Sequence, residues 1–154
     1  MFESGPVVNA LQNWMELFMR RSMRNFIFFC KENNISLSQM NTLFHLQHKG
    51  TCGVSEVGEH LGVTNAAASQ ILDRLVQQTL VARSEDPNDR RVKQIEITKK
   101  GQHLLEEGIR ARQNWWADLE SRLTPEEQEQ VVAALNLLTE KTAELSELLP
   151  EGNG

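Results

Sequence analysis

Apolar residues along this chain recur mostly at helical spacing. Val7, Leu11, Trp14, Phe18, Phe26 and Phe29 follow one another at such steps behind Ser4 and Pro6, which predicts one long helix. Asn33 and Asn34 favour turns and should end it. Its apolar side, rich in Phe, Met and Trp, is wider than one small neighbour would cover, so a packing or dimer surface is expected. Ser36 and Gln39 have the spacing of a capping box, opening a short helix through Leu43, Phe44 and Leu46 that stops at Gly50. An extended piece from Cys52 to Val54 follows, and Ser55 is expected to cap a two-turn helix that Gly62 terminates. Thr64 then caps a helix whose inner face is Ala68, Ile71, Leu72 and Leu75.

The period changes next. Leu80 to Arg83 reads as a strand, Asp86-Pro87-Asn88-Asp89 as a tight turn, and Gln94 to Thr98 alternates in period two. Val81 should therefore pair with Ile95 or Ile97 in an antiparallel hairpin. Thr98 caps a further long helix carrying Leu104, Leu105, Ile109, Trp115, Trp116 and Leu119. Thr124-Pro125-Glu126-Glu127 starts the last one, with Val131, Leu135, Leu138, Leu145 and Leu148 on its stripe, and Pro150 to Gly154 as a frayed tail. The expected fold class is mainly α with a small β-hairpin: a winged helix-turn-helix between long N- and C-terminal helices.

Composition narrows the setting. A chain of 154 residues suits one compact module with helical extensions. No stretch approaches the roughly 20 apolar residues of a membrane span, and Met1 to Ala10 lacks the basic and apolar regions of a signal peptide. Cys30 and Cys52 make no disulfide framework, and a cytoplasmic location is expected. The net charge of −5 looks wrong for a nucleic-acid binder. Its distribution resolves this: from Glu120 onward there are eight acidic residues against two basic, while Arg83 to Lys100 holds six basic against four acidic. A local basic patch can bind phosphates whatever the net charge. No glycine-rich phosphate loop, GxSxG or HExxH is present, so an enzyme is not expected.

Two short helices joined by Leu61-Gly62-Val63-Thr64 have helix-turn-helix dimensions, and a hairpin bearing Arg90, Arg91 and Lys93 follows them closely. Alone, the polar outer face of the second helix (Asn65, Ala66, Ser69, Gln70, Asp73, Arg74) would read as solvated surface. With the charged hairpin beside it, a DNA-reading head is favoured, its candidates being Thr64, Asn65, Ser69, Gln70, Arg74, Asp89, Arg90, Arg91 and Lys93. Ser69 and Gln70 can bond base edges or phosphates, Arg74 a phosphate or guanine, and Arg91 a narrow minor groove or a phosphate. Asp89 caps the turn and can orient an arginine. Arg90 is as well suited to an inward ion pair as to DNA.

Asp86-Pro87-Asn88-Asp89-Arg90-Arg91, then Ile97-Thr98-Lys99-Lys100-Gly101, resembles the wing and exit of the MarR family of regulators, and Ser69, Asp73, Arg74 and Leu75 resemble its recognition helix. The resemblance spans about Leu37 to Gly101 in motifs and nearly the whole chain in helix order. It implies a homodimer on a pseudo-palindromic operator, usually a repressor, released by a small-molecule effector or by cysteine oxidation. The organisation expected is a dimerisation helix over 1–35, a winged helix-turn-helix DNA-binding domain over 36–100, and dimerisation helices over 101–149. Thr79 stands where the family usually has glycine, and Gln70 where many members carry arginine.

The resemblance places an effector site between the dimerising helices and the head, for which Trp14, Phe18, Phe44 and Trp115 are the candidate wall; ordinary core is the competing role. Cys30 is a candidate oxidant sensor, with inert burial as the alternative. His45, His48 and Cys52, or His103 with Glu106 or Glu107, have spacings zinc can use, but scattered histidines explain them too, and no metal or other cofactor is assigned. The competing function is a helical protein-interaction module that uses its winged helix without DNA.

Overall fold

The computed structural model describes residues 5–85 and 93–146. Its elements are α1 (Pro6–Glu32), α2 (Leu37–Lys49), α3 (Val54–Leu61), α4 (Asn65–Gln77), β1 (Val81–Glu85), β2 (Lys93–Ile97), α5 (Lys99–Gln113), α6 (Trp116–Glu120) and α7 (Pro125–Ser146). Two compact units divide between Gln113 and Asn114.

In the first unit, local chemistry sets each boundary. Pro6 occupies the first turn of α1, where a missing N–H costs nothing, and Asn34 (φ 51°) turns the chain out of it. Ser36 and Gln39 exchange bonds reciprocally, with Ser36 N donating to Gln39 Oε1 at 2.8 Å and Gln39 N to Ser36 Oγ at 3.1 Å. The cap of α3 is a correction: it is Gly53, two residues before the expected Ser55. Glu56 is the reason, because its Oε2 accepts from Gly53 N at 2.8 Å while Oε1 accepts from Lys49 Nζ, fixing the earlier start. These two bonds, the lysine's first, also hold the Glu56 carboxyl below its usual range.

Met40, Leu43, Leu46, Val57, Leu72, Leu75 and Ile95 are fully sealed from solvent and form the core, with Phe26 and Cys30 of α1 and Leu105 of α5 around them. α5 enters through Gly101, where a Cβ would stand 2.1 Å from the carbonyl oxygen of Leu80. No side chain fits that approach.

The hairpin is antiparallel, in the register Val81↔Ile97, Arg83↔Ile95 and Glu85↔Lys93. Of the two partners offered for Val81, Ile97 is the one found. The first strand begins one residue later than expected because Leu80 closes α4 instead: Leu80 N donates to Leu75 O and Thr79 N to Val76 O, the paired bonds of a Schellman ending. Cys52 forms an isolated antiparallel bridge to Ile95, adding a third short segment beside the hairpin.

The second unit holds α6 and α7. One continuous helix was expected to run from Thr98 through Leu119, but a turn at Asn114-Trp115 divides it. Asn competes locally for backbone bonds and the adjacent bulky indoles add little helix propensity, so the break falls there. α7 opens with Thr124 and Glu127 bonded reciprocally, at 2.9 and 3.3 Å.

Candidate nucleic-acid interface

The turn between α3 and α4 is made by Gly62 in the left-handed region (φ 64°), with Val63 N bonded to Gly58 O at 2.9 Å. Thr64 then caps α4, its Oγ1 accepting from Ala67 N at 3.2 Å. Asn65 Nδ2 reaches Ser55 Oγ of α3 at 3.4 Å, tying the two helices at their near ends. Ala68, Leu72 and Leu75 are buried, whereas Thr64, Asn65, Ala66, Gln70, Asp73 and Arg74 are exposed and Ser69 is half-buried. Among the described residues Arg74 has no ion-pair partner. The structure thus gathers Thr64, Asn65, Ser69, Gln70 and Arg74 on one helix, polar side outward.

Lys93 opens β2 opposite Glu85. Asp89, Arg90 and Arg91 lie outside the described residues. A residue that sequence reasoning passed over is Arg83, whose Nη2 donates to Asp73 Oδ1, joining the hairpin to α4. A signal was available: period-two alternation sets Arg83 on the same side of β1 as buried Val81, the side that packs toward α4.

The far end of α4 is held from two directions. Thr79 takes φ 59°, and the Thr98 hydroxyl donates to its carbonyl at 2.7 Å. Lys100 Nζ donates to Gln78 O at 2.8 Å and Thr79 Oγ1 at 3.2 Å. Gln78 Nε2 reaches the Asn34 carbonyl at 3.0 Å, while Gln39 Nε2 reaches Gln78 Oε1 at 3.4 Å.

Of the candidate pocket residues, Trp14, Phe18 and Phe44 lie in the first unit. Trp14 and Phe18 pair with centroids 6.2 Å apart, but Phe44 packs against Phe26, two turns further along α1, at 6.4 Å. Trp115 belongs to the second unit. Cys30 and Cys52 are buried, and burial pushes both thiols up, which suits packing better than nucleophilic oxidation chemistry. His45 stacks on His60 with centroids 4.1 Å apart, and its buried Nε2 has no hydrogen-bond partner among the described residues. Burial lowers its pKa most, with His60 and Lys49 adding to this and Glu56 opposing. His103 instead faces Glu107 at 3.7 Å, and among the described residues no three His, Cys, Asp or Glu side chains gather as a metal site. No described helix is long and apolar enough to cross a membrane.

Two helices at a glycine turn, a polar exposed second helix and a hairpin ion-paired to it define a winged helix-turn-helix regulator. The chain belongs to the MarR family of transcription regulators, whose profile matches residues 35–93. It is 26% identical to the HTH-type transcriptional repressor MdtR of Bacillus subtilis, over the full length of both chains. Among solved structures it resembles the transcriptional regulator Tm0710 of Thermotoga maritima, with TM-score 0.79 and 22% identity over 92% of this chain and 97% of that one. It also resembles a mutant MepR of S. aureus bound to an oligodeoxyribonucleotide, with TM-score 0.68 and 23% identity over 95% of this chain and all of that one.

Proposed function

We propose that this chain is a homodimeric, sequence-specific DNA-binding repressor, in which α4 lies in the major groove and the wing arginines grip the flanking backbone. The observation that carries the reading is the polar, exposed face of α4, built on a buried apolar face and flanked by the hairpin. MepR bound to an oligodeoxyribonucleotide and the name of MdtR as a repressor support it. Thr64, Asn65, Ser69, Gln70 and Arg74 serve α4, and Asp89, Arg90, Arg91 and Lys93 serve the wing. The segments 1–35 and 101–149 dimerise around the head at 36–100, because Leu11, Trp14 and Met15 of α1 and Val131, Leu135 and Leu145 of α7 are exposed. Two heads then address successive major grooves about 34 Å apart. A cytoplasmic location and release by a small-molecule effector complete the proposal.

The test is fluorescence anisotropy with duplexes selected by the protein from a random pool. Arg91→Ala should weaken binding by about 1–3 kcal/mol and leave the dimer intact. Undiminished operator binding by that variant removes Arg91 from the head. A wild type that shifts no duplex at low salt favours the protein-interaction module instead.

A further inference from the structure

We propose that Arg83, oriented by Asp73, is a phosphate-contacting residue at the root of the wing, and that Asp73 is its positioning residue. The inference rests on the DNA reading above and adds a contact to it.

Ala66, Gln70 and Asp73 recur along α4 at intervals that put them on one strip, and all three are exposed. The strip is the part of α4 proposed to face the groove, yet its C-terminal end carries a carboxylate. Unpaired, that charge would repel the phosphates running past the edge of the helix. Arg83 answers it from β1, with Nη2 on Asp73 Oδ1, and the two side chains stay 36% and 53% exposed. Exposed pairs of this kind add little to stability, so holding the fold together is a weak account of its placement.

The geometry favours presentation. Arg83 sits in register with fully buried Ile95, so its backbone is anchored in the hairpin. A guanidinium offers five donors in a planar fork, and the Asp73 contact uses Nη2. The carboxylate fixes the torsions of a long flexible chain before any duplex arrives, and the remaining donors are left where helix and wing meet. Fixing a side chain beforehand reduces the ordering cost of binding. A lysine, a hydrated point charge without the fork, could not serve acid and phosphate together in the same way.

The experiment titrates the full-length protein into a fluorescein-labelled mixed-sequence duplex at several salt concentrations, with thermal melts as fold controls. Arg83→Gln keeps the stem and a bond to Asp73 while removing the charge. It should lose about tenfold in affinity, and the slope of log K against log salt should flatten by about one per subunit. A loss of affinity at unchanged slope means Arg83 serves only the fold, and overturns the proposal. Arg83→Lys should keep the slope and lose part of the affinity; wild-type affinity in that variant overturns the role of the fork, and it carries the test if Arg83→Gln does not fold. Asp73→Asn should weaken binding about threefold in the wild-type background but not in Arg83→Gln, where it removes an unpaired repulsive charge. Equal weakening in both backgrounds overturns the positioning role. A wild type that binds no duplex overturns this proposal together with the DNA reading, and so is distinguishable from a slope that fails to change.

Discussion

Thr79 concentrates the chemistry of a single residue. A β-branched side chain at φ 59° pays a cost that glycine would not, yet Thr98, Lys100 and the bonds to Val76 and Leu75 hold it there. The sequence already flagged the position, since a threonine stands where a left-handed residue is needed; what it could not reveal is the set of long-range donors that make the conformation tolerable. Thr79→Gly should raise the unfolding free energy by about 0.5–1 kcal/mol: relief of a left-handed cost of about 1–2 kcal/mol outweighs the added chain entropy and the lost lysine contact. Urea denaturation at fixed protein concentration measures this, and a lower midpoint would show that the lysine contact dominates. Arg83 was less legible, because its meaning depends on a partner ten residues away that the turn from α4 into β1 brings near.

At the scale of elements, caps written in adjacent residues were readable: Ser36 with Gln39, Thr64 alone, Thr124 with Glu127. The start of α3 was not, because Glu56 takes its bond backward to a glycine and is held by Lys49 from α2. The joint between α2 and α3 also carries a proton-linked term. Burial favours neutral His45 in the fold, lowering its pKa from 6.5, and the neighbouring His60 and Lys49 act the same way against Glu56. The unfolded chain therefore takes up a proton at higher pH than the folded one, so the stability held in this contact is complete above pH 6.5 and is lost as pH falls below it. Urea midpoints should fall as pH drops from about 6.5 to 5.5, and His45→Leu should flatten that fall, since it removes the titrating imidazole. An unchanged drop in the variant would assign the acid sensitivity elsewhere.

For the whole molecule, charge is segregated along the chain, with acid gathered from Glu120 onward and the basic cluster at the hairpin. The fold class and helix order were visible in hydrophobic period read together with cap and turn residues, whereas the break at Asn114-Trp115 was hidden because the apolar spacing continues across it. Leu11 and Met15 on α1, like Val131 and Leu135 on α7, are placed one helical turn apart and exposed, and the proposed dimer would cover them. Met15→Glu should raise the dimer dissociation constant at least tenfold, about 1.4 kcal/mol, by sedimentation equilibrium; an unaltered constant would exclude that side of α1 from the contact. The tethers on Gln78 carry one more consequence. With its carbonyl fastened to the start of α5 and its amide to the bend after α1, Gln78 holds the end of α4, which cannot roll on its own axis without breaking those bonds. In the proposed dimer, an effector would then carry each head as a rigid cargo, changing the stride between half-sites and leaving each half-site's sequence preference intact.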